Sequence, residues 1–226
     1  MSFIEIGGDA CKCSNLGATP AERAMMDRSK LTMKYADKWA PVFGAPTSWL
    51  LTLAELESSH NPKKVNMAAH TKGGAWGLLQ QMADEVPYKL QVIRRFYGRK
   101  GQPHAAEIRK TAAKWKGRPQ ALLDPDFNMM LAAWQLGRLA RVFSGNMDNA
   151  FAAYHQGEFA VKRRLARGLP AVSQKAQPKG YAYVQEAKDT RNKYMPILLA
   201  RLEQQLPIRT PYRPDYQPSP ILAIAP

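Results

Sequence analysis

The chain has 226 residues, with 33 Lys and Arg against 18 Asp and Glu, so its formal charge is +15 and its isoelectric point lies near 9.9. That length buries a real core as one domain with room for appendages, and the charge implies attraction to polyanions, envelope polymers and nucleic acid alike, without choosing between them. Cys11 and Cys13 are the only cysteines, too few for a disulfide framework and, with no histidine nearby, too few for a zinc site.

Residues 1–18 read as an N-terminal arm. Met1 to Gly17 carries acidic and small residues where a secretory signal needs a basic start and an apolar run, and no later stretch is long enough to cross a bilayer. A soluble chain outside the Sec route is expected. The first strong helix opens at Thr19-Pro20-Ala21-Glu22, where threonine caps, proline fits the first turn and glutamate completes a capping box; it should end before Pro41.

A second helix runs from about Thr47 to Ser59 and stops at Asn61-Pro62, because the residue before proline avoids helical geometry. On it, Leu50 and Leu53 mark one face, and Glu57 falls on that same face where the apolar stripe should continue. Glu55 shares a side with Thr52 and Ser59 and reads as an ordinary surface acid. A carboxylate held against apolar neighbours loses hydration, so its pKa rises, as a general acid near neutral pH requires. The competing reading of Glu57 is a glutamate at the rim of the core that reaches solvent.

Beyond it, Lys63 to Trp76 has two adjacent glycines and no periodicity, the signature of a loop. Helices are expected over Leu78 to Phe96, with Pro87 as a possible interruption, and over a basic stretch from His104 to Lys116. Asp124-Pro125 then reads as cap and first turn of a helix whose apolar positions Met129, Ala132, Ala133, Leu136, Leu139, Ala140 and Phe143 recur three and four apart. Ser144-Gly145-Asn146 ends that helix, Asp148 can cap a short one leading to Tyr154, and a last long helix runs from about Tyr181 to Leu206, bent at Pro196. The six prolines between Pro207 and Pro226 make an extended tail. The basic runs, Arg94-Arg95, Arg99-Lys100, Arg109-Lys110, Lys114 to Arg118 and Lys162 to Arg167, read first as solvated helix faces.

Five ordered blocks carry a resemblance. Glu57-Ser58-Ser59-His60-Asn61-Pro62, Gly74-Ala75-Trp76-Gly77-Leu78-Leu79-Gln80, Asp124-Pro125-Asp126-Phe127-Asn128, Ala150-Phe151-Ala152-Ala153-Tyr154-His155-Gln156-Gly157 and Tyr181-Ala182-Tyr183-Val184 together resemble the signature motifs of peptidoglycan lytic transglycosylases of the soluble type, with a goose-type lysozyme-like fold. The resemblance spans about residues 47 to 195, and the order of the blocks makes it far more specific than any one of them. It implies a mainly α, lysozyme-like domain over 19–206 with at most a small β-hairpin, placed in the Lys63 to Gly74 loop, and the excess length between Gln80 and Asp124 implies an inserted helical region near 86–120. Residues 207–226 stay outside as the tail.

The resemblance implies that Glu57 acts alone as acid and then base on the bond between N-acetylmuramic acid and N-acetylglucosamine, giving a 1,6-anhydro product with no water consumed. Gln80 is then expected to bond the sugar or order the cleft, the bland alternative being helix-start polarity. Tyr154 should place its hydroxyl near Glu57, unless it is simply a core aromatic. Ser58 and Thr71, the latter where the family often has serine, are candidates for bonds to the acid or sugar, though serine at such a place often bonds locally. Tyr183 could line the cleft, and Asn61 and Asn128 should secure turns.

His155 replaces the family's asparagine and reads as an interior histidine satisfied by hydrogen bonds. Glu158, if it faced the cleft, could activate water and make a hydrolase. His60, His70 and His104 have no ligand spacing, and no metal or cofactor is implied. The expected partner is the peptidoglycan glycan strand, with other virion proteins and non-specific nucleic-acid contact as further candidates. The missing signal points to a chain delivered to the host wall by other means, as a bacteriophage virion component or as a lysis protein released by a partner. The alternatives are a virion structural or ejection-channel protein with a lysozyme-like domain, and a hydrolytic muramidase of the same fold.

Overall fold

The computed structural model describes residues 20–68 and 73–193. Cys11, Cys13, the cap at Thr19, His70, Thr71, the bend at Pro196 and the tail at 207–226 lie outside the described residues. Helices α1 (Pro20–Phe43) and α2 (Thr47–Ser58) are followed by three short strands, β1 (Val65–Asn66), β2 (Ala75–Trp76) and β3 (Gln81–Met82). Then come α3 (Val86–Phe96), α4 (Ala105–Ala112), α5 (Pro125–Val142), α6 (Met147–Gln156), α7 (Glu158–Leu165) and α8 (Pro178–Lys193), with single 3-10 turns at Ala83–Glu85 and Pro119–Leu123. The strands form one antiparallel sheet in the order β1-β2-β3, pairing Val65 with Trp76 and Trp76 with Gln81. A small β element is present, but only β1 lies within the Lys63 to Gly74 loop; its partner β2 and the third strand β3 follow that loop.

Two helices make the centre. α5 carries Phe127, Asn128, Met129, Met130, Leu131, Ala132 and Ala133 at 0 % exposure, apolar nearly all round, as a helix wrapped by others must be. Asp124 caps it by accepting from the Phe127 N–H at 2.9 Å, with Pro125 in the first turn, as the sequence implies. α2 is the second, packed against α1, α5 and α8. Leu50, Leu51, Leu53 and Ala54 are fully buried, and so is Thr52, whose hydroxyl donates to the Ser48 carbonyl at 2.9 Å.

α1 departs from expectation by running through Pro41 to Phe43. In the final turn a proline forfeits one N–H bond at a position where little helix remains to break, and burial of Val42 and Phe43 offsets that loss. The end is closed by Gly44 in the left-handed region (φ 67°), by the Ala45 N–H returning to the Ala40 carbonyl at 3.0 Å and by Arg141 donating to the Phe43 carbonyl at 2.8 Å. This same carbonyl sets how closely α5 approaches: a Cβ on Gly137 would stand 2.2 Å from Phe43 O. Gly137→Ala should therefore destabilise the protein by about 1–3 kcal/mol through overpacking, lowering the melting temperature by roughly 2–12 °C in a calorimetric scan.

The helix expected from Leu78 begins only at Val86. Gly77 (φ 79°) and Gln80 (φ 43°) fold residues 77–80 into a turn between β2 and β3, and Pro87 then occupies the first turn of α3 instead of interrupting a longer helix. α4 is shorter than its basic pattern suggested, starting after His104 (φ 61°) and ending at Ala112. Asn146, not Asp148, caps α6 by accepting from the Asn149 N–H at 3.0 Å; Asp148 instead receives Lys188 from α8 at 2.8 Å. Among the described residues no helix is long and apolar enough to cross a membrane.

Candidate active site

Glu57 lies in the last turn of α2, one turn beyond fully buried Leu53 and two beyond Leu50, and is itself half-buried. Tyr183 of α8 donates its hydroxyl to Glu57 Oε1 at 2.6 Å. Lys64 donates to the Glu57 main-chain carbonyl at 2.6 Å, tying the end of the helix to the loop before β1. Burial pushes the Glu57 carboxyl above the usual carboxylate value; the Tyr183 bond and the Lys64 charge oppose this without cancelling it. Burial and the neighbouring Glu57 charge also push the Tyr183 phenol well above its ordinary value, so it stays a donor at all relevant pH.

The chain leaves α2 through two consecutive left-handed residues that are not glycine, Ser59 (φ 52°) and His60 (φ 59°), whose N–H groups return to the Glu55 and Ala54 carbonyls at 2.8 and 3.1 Å. Each such residue costs about 1–2 kcal/mol, so neighbours must hold it. Arg28 of α1 donates to the Ser59 carbonyl at 3.1 Å, and Thr32 of α1 bonds His60 Nδ1 at 3.0 Å. His60 is 1 % exposed, and burial, with the Arg28 charge, lowers its pKa to about 4.

Glu55 is not the surface acid expected. Its Oε2 lies 3.3 Å from His60 Nε2, and burial raises its pKa, with Arg28 opposing. The expectation assumed a solvent side to α2, and a helix surrounded by α1, α5 and α8 has little of one.

Tyr154 lies near enough to feel the Glu57 charge, which with burial pushes its phenol well above the ordinary value, while its hydroxyl donates to the Leu79 carbonyl at 2.8 Å and accepts from Gln81 Nε2 at 2.7 Å. Tyr183 makes the bond to Glu57 in its place. Behind Tyr154, Gln81 Oε1 accepts from Lys89 at 2.9 Å, and Lys89 also reaches Gln135 at 2.7 Å and Glu85 at 2.7 Å. Lys89 is 4 % exposed, and burial lowers its pKa.

Gln80 is directed at its own loop, donating to the Gly77 carbonyl at 2.9 Å and the Lys64 carbonyl at 3.2 Å. Its amide donor is therefore spent on ordering the turn. Ser58 is buried and bonds locally, donating to the Ala54 carbonyl at 3.0 Å and accepting from the Asn61 N–H at 3.1 Å, which leaves no hydroxyl facing a ligand. Asn61 accepts from the Lys63 N–H at 2.9 Å. Asn128 accepts from the Leu79 N–H at 2.9 Å and donates to the Trp76 and Leu122 carbonyls at 2.7 and 2.9 Å, clamping the 77–80 turn onto α5. Thr71 is outside the described residues.

His155 is not interior. It is exposed, and its ring stacks on Tyr183 with centroids 4.3 Å apart and planes 15° apart. Glu158 is drawn away from any water-activating role by Arg138 and by Lys162 at 2.7 Å, bonds that outweigh its partial burial and hold its pKa below the usual value. A cleft of about 210 Å³ between Asp148 and Asn149 of α6 and Tyr181 and Val184 of α8 includes none of the residues singled out around Glu57. Among the described residues no cluster of three or more His, Cys, Asp or Glu is placed to hold a metal ion.

Lys64, Gln81, Lys89 and the stacking of His155 carry no signal in the sequence, except that Glu85 and Lys89 stand one helical turn apart. The Tyr183 contact has a measurable consequence. Tyr183→Phe should move the Glu57 titration midpoint upward, because the lost donation favoured the carboxylate, and ¹³C NMR of the labelled glutamate carboxyl would read the shift.

Residues 102–169 match the family described as Transglycosylase SLT domain. The match takes in the Asp124 cap, α5 and the Tyr154 segment, and begins C-terminal to Glu57. The fold class is the one the sequence implied, mainly helical and lysozyme-like with a small antiparallel sheet. No curated protein and no solved structure matches the chain.

Proposed function

We propose that this chain, similar to the lytic transglycosylases over residues 102–169, cleaves peptidoglycan glycan strands at the bond between N-acetylmuramic acid and N-acetylglucosamine, with Glu57 as its single acid and base. The observation that carries the reading is the state of Glu57: half-buried, raised in pKa, and bound through one oxygen by a phenol that cannot readily give up its own proton.

Tyr183 occupies Oε1, so the acidic proton resides on Oε2. That proton passes to the glycosidic oxygen as the bond to the muramic C1 breaks, and the N-acetylglucosamine end leaves as an alcohol. The substrate's acetamido carbonyl stabilises the electron-poor C1. The muramic 6-hydroxyl then adds to C1, the acetamido group leaves it, and the hydroxyl proton returns to Oε2, which restores the acid and consumes no water. Because nucleophile and electrophile belong to one sugar, the entropy of bringing them together is largely absent, and a second carboxylate is dispensable.

Glu55, the nearest other acid in sequence, has its Oε2 3.3 Å from the Nε2 of an uncharged His60, without a hydrogen bond between them; Glu158 is engaged with Arg138 and Lys162. The pairing of Glu158 supports one working carboxylate over the hydrolytic pair. The test is digestion of purified sacculi followed by mass spectrometry. Fragments ending in 1,6-anhydro sugar, lighter by one water than the hydrolytic products, are expected; reducing ends alone would reject the proposal in favour of a muramidase.

A further inference from the structure

A single tyrosine hydroxyl from α8 reaches Glu57 across 126 residues of sequence, and its aim depends on how the ring is held. A phenol carries its oxygen far from the backbone, so a small change in side-chain torsion moves the hydroxyl out of bonding distance. Two residues of α6 grip that ring. Phe151 and His155 stand four apart, on one face of the helix, with ring centroids 6.3 and 4.3 Å from that of Tyr183.

Phe151 is itself fixed, fully buried and packed at 4.6 Å on Trp49 of α2, the helix that bears Glu57. His155 closes the grip from the exposed side, nearly parallel to the phenol at 15°. Tyr154 between them takes no part in holding Tyr183 in this way, since its hydroxyl is committed to Leu79 and Gln81. An exposed histidine whose recorded contact is one flat stack is poorly explained by core packing.

We propose that His155 is a positioning residue: stacked on Tyr183, it keeps the phenol where it donates to Glu57. The proposal rests on the reading of Glu57 as the proton carrier, but its geometric content stands without it. Burial lowers the His155 pKa, so near neutral pH the ring is uncharged and the contact is that of two neutral rings. What matters is then the flat ring and not its nitrogens.

The full chain with His155→Ala and with His155→Phe tests this by two readouts. In cleavage of sacculi, His155→Ala should lower kcat by about 10- to 100-fold, the scale of a misplaced group near the reacting atoms, with KM held. In ¹³C NMR, its Glu57 carboxyl should titrate at higher pH than wild type, toward the behaviour of Tyr183→Phe, with Glu57→Gln assigning the signal. His155→Phe should restore both. The proposal is overturned if His155→Ala leaves the Glu57 midpoint unmoved, or if His155→Phe behaves like His155→Ala. If wild type forms no product from sacculi, the functional reading fails while the carboxyl titration still decides the positioning role.

Discussion

Glu57→Gln is expected to reduce glycan cleavage by about 10²- to 10⁴-fold, the usual scale for removing a positioned general acid, while the protein folds as before. Glutamine has the shape of glutamate and keeps an oxygen to accept from Tyr183, so the bond between α2 and α8 survives. It lacks a proton that can be delivered to a leaving oxygen. Thermal stability should be unchanged or slightly higher, because the native site disfavours the ionised carboxylate. The sign follows from linkage: a carboxyl whose folded pKa is raised destabilises the folded state once pH exceeds its unfolded value, and the variant removes that penalty. Melting curves at pH 4 and pH 8 should therefore differ less between the two proteins at the lower pH. Full cleavage by Glu57→Gln would show that another group delivers the proton.

The largest effect on stability should come from Asp126→Ala. Asp126, at the second residue of α5, accepts from Lys38 at 2.9 Å and Trp39 Nε1 at 2.8 Å on one oxygen, and from Lys114 at 3.0 Å and Thr111 at 3.3 Å on the other. It thereby joins α1, the α4 region and α5. Burial alone would raise its pKa, but the bonds from Lys38, Lys114 and Trp39 together hold it below the ordinary 3.8. Truncation strands the Trp39 N–H, on a side chain that is 0 % exposed, and takes one partner from each lysine; Lys38 keeps Glu107 and Lys114 keeps Asp124.

Breaking a buried pair costs about 3–5 kcal/mol, and because both lysines are about a third exposed solvent screening favours the lower end, about 3 kcal/mol. That corresponds to a melting temperature roughly 6–12 °C lower. A carboxylate with a depressed folded pKa contributes stability that is present above its unfolded pKa and is lost as pH falls through the folded value. The gap between wild type and Asp126→Ala should hold through neutral pH and shrink on acidification below about 4. A gap that stayed constant in acid would show that packing, and not charge, is what Asp126 supplies.

How far the sequence reveals this molecule depends on whether a feature is local. The cap at Asp124 and the proline in the following turn are encoded within a few residues, and they are found in place. Failures came where tertiary packing decides. Periodicity assigns α2 one wet side, yet Thr52 is fully buried and Glu55 is half-buried beside His60, because α2 is surrounded. Pro41 looks like a stop signal, but phenylalanine burial two residues on outweighs one missing hydrogen bond.

The site was legible in part for the same reason. Glu57 announces itself as an acid on an apolar stripe, a local pattern. Its phenolic partner lies 126 residues away, and nothing near either residue says whether Tyr154 or Tyr183 will supply the hydroxyl. Gln81 gave no such signal: the turn ending at Gln80 leaves it as the first residue of β3, from where its amide reaches Tyr154.

Lys89 has a use outside catalysis. It is the buried lysine among the described residues, its amine shared among Gln81, Gln135 and Glu85. Acylating reagents that modify exposed lysines within minutes would find this nitrogen only when the corner between β3 and α3 swings open. The rate at which Lys89 is acylated, followed peptide by peptide, is thus a clock for the breathing of the wall behind Tyr154, readable without a substrate.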